Sequence, residues 1–329
     1  MWLNLKIDVF KVPFINREEE LKVLREYAER GFYPILLIYG PEGCGKTRLL
    51  KEFIKSIEET SDYIIVYVDA QNVGSLKDAV YAPPLLLEAF SSLVESISEP
   101  VGKFSARMLP YVFKKFFEKR LRNKHVIIAV DDVARPLGVD VIESYVKTML
   151  NLLEWIVDKG AESAFIVATT SEGLSLSLLA RHSYVSLSEV WNLSREAAEE
   201  LLSTLGAPKH LFEEIWLMSG GNPRAILAIS ARNWNLDIWF REVARNIVLA
   251  TRSIVFKYRS QLAEVVENVD SLVNWTELEE ALIKANLVTP ISRPCLGYTP
   301  PIDLELGVGK YYAWQIPAYR KALEKILKL

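Results

Sequence analysis

Within residues 1–190 of the 329-residue chain, four short runs are apolar throughout: 35–39, 63–68, 126–130 and 164–168. Tyr184-Val185-Ser186-Leu187 is a weaker fifth. None alternates polar with apolar residues, and continuous apolarity is expected of parallel strands covered on both faces. Each run is too short for a buried helix and is bounded by Gly, Asp, Asn or Ser. Helical stretches separate the runs, so the pattern reads as successive βαβ units and predicts a parallel α/β sheet.

Beyond residue 190 the strand pattern gives way to helices. Ser194 ahead of Arg195-Glu196 is a helix N-cap, and the helical period continues to about residue 255. It is broken at Gly206-Ala207-Pro208 and at Gly220-Gly221-Asn222-Pro223. Further helices then lead to a short strand over 286–291, a Pro/Gly-rich loop over 294–309, a strand over 311–316 and a last helix from Pro317. Helices followed by two strands flanking a loop suggest a winged helix. The expected organisation is therefore an α/β domain (1–190), a helical module (191–250) and a winged-helix-like domain (251–329).

The first strand runs directly into Gly40-Pro41-Glu42-Gly43-Cys44-Gly45-Lys46-Thr47, which fits the phosphate-binding pattern G-x-x-x-x-G-K-[ST]. A chance match in a chain of this length has odds on the order of one in a hundred. The flanking strand and the helical pattern from Thr47 lower them further. Glycines let backbone N–H groups face phosphates, and the following helix adds the positive end of its dipole. Lys46 is expected to reach the β and γ phosphates and Thr47 to bind Mg²⁺. Gly40, Pro41, Gly43, Cys44, Gly45 and Arg48 complete the candidate nucleotide loop. Cys44 is at a variable position of it, where a tolerated small residue is the plainer reading than a reactive thiol.

Such a site needs a carboxylate for the metal, and Asp131-Asp132 at the end of the third run supplies it. Asp131 is the expected Mg²⁺ residue and Asp132 the residue that orients the attacking water. Thr169-Thr170-Ser171 ends the fourth run with three adjacent hydroxyls. Thr170 is preferred as the group that senses phosphate, although the sequence does not separate the three. Arg181, just before the fifth run, is either a transition-state arginine or an ordinary surface residue.

Composition narrows the partners. A length of 329 residues favours two domains with room for a third, and 50% hydrophobic with 25% charged residues excludes a disordered chain. The net charge of −3 excludes an all-over polyanion-binding surface. Cys44 and Cys295 are too few for a disulfide framework, which fits a reducing cytoplasm. Residues 1–6 show no secretory signal, and no apolar run approaches the roughly 20 residues that span a bilayer. The expectation is a cytoplasmic protein without a membrane partner.

The residues Phe14-Ile15-Asn16-Arg17-Glu18-Glu19-Glu20-Leu21, the phosphate loop and Ser219-Gly220-Gly221-Asn222-Pro223-Arg224 occur in one order. Together they resemble the archaeal ATPase family of the STAND class of P-loop NTPases, relatives of AAA+ proteins. The resemblance spans most of the chain. It implies an ATP-binding α/β core, a helical lid over residues 191–250 and a nucleotide-controlled switch that hydrolyses ATP to ADP. It further implies that the segment from Pro13 and Phe14 to Arg17 lies against adenine, that Pro223 contacts ribose or base, and that Arg224 senses phosphates. Members similar to this chain usually carry Asp-Glu where it has Asp131-Asp132; the shorter Asp132 puts the rate of hydrolysis in doubt.

An initiator-like, DNA-associated ATPase is the alternative, as is a nucleotide-binding scaffold with little hydrolysis. Between Gln261 and Ala285 six acidic residues stand against Lys284, the wrong sign for a helix that meets phosphates. That module is expected to pack on the core or on an unknown protein partner. Residues 103–125 carry eight basic residues against Glu118, interleaved with aromatics, and 224–260 carry seven against Asp237 and Glu242. Both read first as solvated helix faces, and 103–125 second as a nucleic-acid surface.

Overall fold

The computed structural model describes residues 12–57, 62–94, 100–171, 173–291 and 293–328. Residues 1–6, read above for a secretory signal, lie outside these. The apolar runs form strands β1 (Ile35–Tyr39), β2 (Tyr63–Asp69), β4 (His125–Asp131), β5 (Ser163–Thr169) and β6 (Val185–Glu189). A two-residue strand β3 (Val80–Tyr81), too short to leave a periodic signature, adds to the edge. The sheet order is β3-β2-β4-β5-β1-β6, with β3 antiparallel to β2 and every other pair parallel.

Both faces are covered. Leu36, Ile38, Ile127 and Ala129 pack with helices α1 (Glu18–Arg30) and α2 (Lys46–Ile57). The alternate residues Leu37, Val66, Ile128 and Val130 pack on the other side, against α4 (Pro84–Val94), α5 (Val101–Phe117) and α7 (Val139–Asp158). Successive side chains of a strand point to opposite faces, so a sheet clothed on both sides selects apolar residues at every position. Short helices α3 (Leu76–Ala79), α6 (Ala134–Leu137) and α8 (Leu174–Leu179) complete the layers. The register pairs Asp69 with Asp131 and Ile38 with Thr169, so the carboxyl ends of β1, β2, β4 and β5 share one edge. In parallel α/β sheets ligand sites form at that edge.

Next come α9 (Arg195–Thr204), α10 (Phe212–Ser219) and α11 (Pro223–Ser230). Ser194 caps α9 by accepting the Ala197 N–H, and Asn222 caps α11 by accepting that of Ala225. Gly220 ends α10 in the left-handed conformation, and Pro223 begins α11 where its missing N–H costs nothing. Helix α12 (Leu236–Glu267) then runs 32 residues, straight through residue 250, where the module boundary was expected. It contains no glycine or proline to stop it, and only Tyr258 departs from helical geometry. Packing changes hands earlier. Leu236 and Trp239 lie in the α9–α11 core, Ile247 and Ile254 in the C-terminal core, and Phe240 and Val243 touch both.

The C-terminal part holds α13 (Thr276–Lys284), the antiparallel pair β7 (Val288–Pro290) and β8 (Tyr312–Trp314), and α14 (Pro317–Lys328). The long loop between β7 and β8 docks on the α/β domain. Leu296, 6% exposed, joins the core beneath α1 and α2, and its N–H donates to the Glu189 carbonyl at 2.7 Å. Gly297 (φ +79°) presses on Glu20, whose Cδ would lie 2.2 Å from any added Cβ. In α13, Glu277 is tied to Lys257 and Tyr258, and Glu279 to the Tyr312 hydroxyl.

Segment 103–125 has the arrangement of a solvated face. Phe104, Phe113 and Phe117 are in the core, Lys114 lies over Trp155, Lys115 over Phe116, and Lys124 pairs with Asp62. No described helix is long and apolar enough to cross a membrane.

Replacing Leu296 by alanine removes the side chain that the β7–β8 loop contributes to that core cluster and is expected to lower stability by about 2–5 kcal/mol, read from urea denaturation.

Candidate functional site

Loop 40–47 leaves β1 at the shared edge and turns into α2. Gly40, Gly43 and Gly45 have φ of 143°, 83° and 105°, angles that side chains with a Cβ rarely adopt. At Gly40 a Cβ would also lie 2.1 Å from the Val190 carbonyl oxygen. The result is a concave backbone facing the N-terminus of α2, the arrangement that receives anions. Lys46 is buried and bridges its own loop, with Nζ donating to the carbonyls of Gly40 (2.8 Å) and Pro41 (3.0 Å). Thr47 is exposed in the first turn of α2. The Cys44 side chain turns inward, its Sγ 3.3 Å from the Val190 carbonyl and 3.8 Å from Lys46 Nζ.

Three aspartates meet beside the loop. Asp131 is buried; the Thr169 hydroxyl donates to Oδ1, and the Tyr67 hydroxyl donates to Oδ2 at 3.1 Å. Thr169 Oγ1 also accepts the Asp132 N–H at 2.8 Å. Asp132 sits at φ +52°, and its carboxylate accepts from Ser171 (3.1 Å) and from the Gln71 amide. Burial, then the neighbouring Asp131 charge, push the Asp132 carboxyl above its usual range; the Ser171 bond and Lys46 oppose the shift. Burial and Asp131 likewise raise Asp69. Burial and the Asp131 and Asp69 charges push the Tyr67 phenol well up, so it remains a donor.

Of the three adjacent hydroxyls, those of Thr169 and Ser171 are bonded to Asp131 and Asp132. The preferred Thr170 is fully buried between them, its N–H donating to the Ile38 carbonyl. Strand-end residues alternate faces, which turns the middle one inward.

Arg181 is a second correction. It follows α8 and precedes β6, whose first residue Val185 pairs with Ile35 at the start of β1. That is the amino-terminal edge of the sheet, opposite the loop. Arg17 is a third. Instead of presenting to a base it is 4% exposed, with Nη1 on Glu20 (2.6 Å) and Nη2 on the carbonyls of Cys44 (2.9 Å) and Trp191 (2.7 Å). Phe14 packs under the Arg48 guanidinium, 5.9 Å from ring centre to Cζ, while Pro13 is exposed beside them. This forms one wall next to α2.

The turn before α11 closes the other side. The Arg224 N–H donates to the Gly43 carbonyl at 3.3 Å, and a Cβ on Gly43 would lie 2.5 Å from that of Arg224. Pro223 is adjacent. Glu42, at a variable motif position, gathers further contacts that its sequence does not advertise. Its N–H donates to Gln315 Oε1 (2.8 Å) and its carbonyl accepts from Asn222 Nδ2 (2.9 Å). Its carboxylate accepts from Arg224 Nη1 (2.5 Å) and Asn286 Nδ2 (2.6 Å). Asn192 links Asn222 Nδ2 to the Gln315 carbonyl.

Residues 14–229 match the sequence profile of a family described as an ATPase domain predominantly from Archaea. An uncharacterized ATP-binding protein of Pyrococcus horikoshii is 24% identical over 311 residues, spanning 84% of this chain and 92% of that one. One from Pyrococcus abyssi is 22% identical over 328 residues, spanning 88% and 93%. Among solved structures, Cdc6p from Pyrobaculum aerophilum is similar with a TM-score of 0.46 and 14% identity, over 98% of each chain.

Two variants probe this geometry. Arg17→Ala leaves the Glu20 charge buried without its partner and is expected to cost about 3–5 kcal/mol in chemical denaturation. Asp132→Asn relieves a carboxyl that the fold holds above its solution range. Such a group favours folding while protonated and loses that contribution as pH rises through its folded pKa. Asparagine also tolerates φ +52°. The variant is expected to melt above the parent at pH 7, with the gap closing towards about pH 4, where the unfolded carboxyl protonates.

Proposed function

The chain belongs to the archaeal ATPase-domain family, and from that premise we propose that it is a nucleotide-controlled switch, AAA+-related and STAND-like, that binds ATP with Mg²⁺ between core and lid. In this reading residues 191 to about 245 are the lid, and the C-terminal helices with the β7–β8 pair are a winged-helix module packed on the core. The observation that carries the reading is the contact of the Asn222–Arg224 turn with the glycine loop at Gly43. A ligand in the loop touches both bodies, so its occupancy biases their arrangement.

The residues fit the nucleotide. Gly45 faces open space, with nothing within 4 Å of an added Cβ, and the loop N–H groups with Lys46 offer donors for phosphate. Thr47 and Asp131 would hold Mg²⁺. Among the described residues no group of three or more acidic, His or Cys side chains could hold a metal. That suits Mg²⁺, which binds through one or two protein oxygens plus phosphates and water. When bound, the metal neutralises charge on the phosphate oxygens.

Phe14, Arg48, Pro13 and Pro223 would flank the base and ribose, and Arg224, whose guanidinium is on Glu42, would turn to pair with phosphate. Asp132 with Ser171 would orient water. Its carboxylate is short and already engaged by Gln71 and Ser171, which supports slow hydrolysis.

Lys46→Ala is expected to weaken binding of fluorescently labelled ATP by about 10- to 100-fold, the worth of a charge-assisted hydrogen bond. Unchanged affinity would overturn the site assignment. A single-turnover assay of the parent decides between a switch that resets and a scaffold: conversion of bound ATP to ADP supports the first, and intact ATP over hours the second.

A further inference from the structure

Glu42 is held by the lid and by the C-terminal module at once, and the orientation of the amides that hold it follows from their backbone anchors. Asn222 Oδ1 accepts the Ala225 N–H as a helix cap, so its Nδ2 must face the Glu42 carbonyl and Asn192 Oδ1. The Glu42 N–H requires an acceptor, which makes the facing Gln315 atom Oε1 and leaves Nε2 to donate to Asn286 Oδ1 (2.6 Å). Asn286 Nδ2 then donates to the Glu42 carboxylate. Glu42, Gln315 and Asn286 thus close a ring of three hydrogen bonds. Asn286 makes this contact from a left-handed backbone (φ 58°).

These bonds differ in weight. The Arg224–Glu42 ion pair is exposed on both sides, with 65% and 41% of the side chains accessible, and water screens it. Gln315, Asn222 and Asn192 are buried, and a buried amide that loses its partner is costly.

We propose that Glu42 is the positioning residue through which occupancy of the phosphate loop reaches the C-terminal module. Lys46 Nζ rests on the carbonyls of Gly40 and Pro41, the two residues before Glu42. A bound phosphate draws that ammonium away, the loop relaxes at Glu42, and the hold on Asn286, Gln315 and Arg224 loosens. This rests on the nucleotide reading above. Linkage is reciprocal: if ATP loosens the ring, a protein without the ring binds ATP more tightly by the same factor.

The test measures labelled-ATP affinity and amide hydrogen exchange over residues 286–316, with and without ATP and Mg²⁺, in the full chain. In the parent, exchange in 286–316 is expected to rise when ATP binds. In Glu42→Ala, which keeps the backbone bonds to Gln315 and Asn222 but removes the carboxylate that holds Asn286 and Arg224, exchange is expected to start higher and to rise less with ATP, with affinity up to about fivefold tighter. Asn286→Gly, which keeps the left-handed backbone and leaves the loop sequence intact, should show the same pair of changes even if the Glu42 variant folds poorly. Parent-like affinity in both variants, or parent exchange over 286–316 that ignores ATP, overturns the relay. A parent that binds no labelled ATP overturns the nucleotide reading and the relay with it.

Discussion

The buried guanidinium of Arg17 is the contact on which the arrangement of the molecule depends. Its rigid fork of N–H groups reaches three separate parts of the chain: the phosphate loop at Cys44, the connection from β6 to α9 at Trp191, and Glu20 on α1. Glu20 in turn forms the floor on which Gly297 of the β7–β8 loop rests. A buried charge tolerates no missing partner, so each of these elements is confined by the others. A lysine, with one compact ammonium on a flexible stem, would not span the same three directions.

The aspartate edge shows the opposite economy. Asp69, Asp131 and Asp132 crowd together at strand ends, two of them pushed towards the protonated form, and Asp132 is in a backbone region unfavourable to most residues. Nothing in folding alone calls for this. A cation near these carboxylates would relieve the repulsion, and departures from local rules concentrate at sites that act. The hydroxyls of Tyr67, Thr169 and Ser171 hold the carboxylates meanwhile and fix their directions.

Much of this was legible in the chain. The parallel strands were, because a sheet covered on both faces needs apolar residues at every position. So was the cap Ser194, because its chemistry is local. The phosphate loop was legible because its backbone demands glycines at fixed spacing. What stayed hidden is non-local. Position before β6 puts Arg181 at the amino-terminal edge of a parallel strand, yet that conclusion needs the register with β1. Which of Thr169, Thr170 and Ser171 faces the aspartates depends on the pleat at the strand end. That α12 runs on through residue 250 stayed hidden because a long amphipathic helix can change packing partners without any break in its sequence. Glu42 looks like a free position of the motif, and its partner Gln315 stands 273 positions away.

The α9–α11 helices and the C-terminal elements are not separate bodies. Helix α12 belongs to both cores, Tyr319 of α14 packs against both, and a Cβ on Gly220 would lie 2.7 Å from Pro317 Cδ. Packed interfaces of this density transmit displacement rather than absorb it. The chain passes from β6 to α9 through residues 190–193, which are tied by the Val190–Tyr39 and Leu193–Gly221 backbone bonds, the Arg17 bond to Trp191 and the Asn192 bonds to Asn222 and Gln315. The phosphate loop therefore faces one packed body, which it contacts at Glu42.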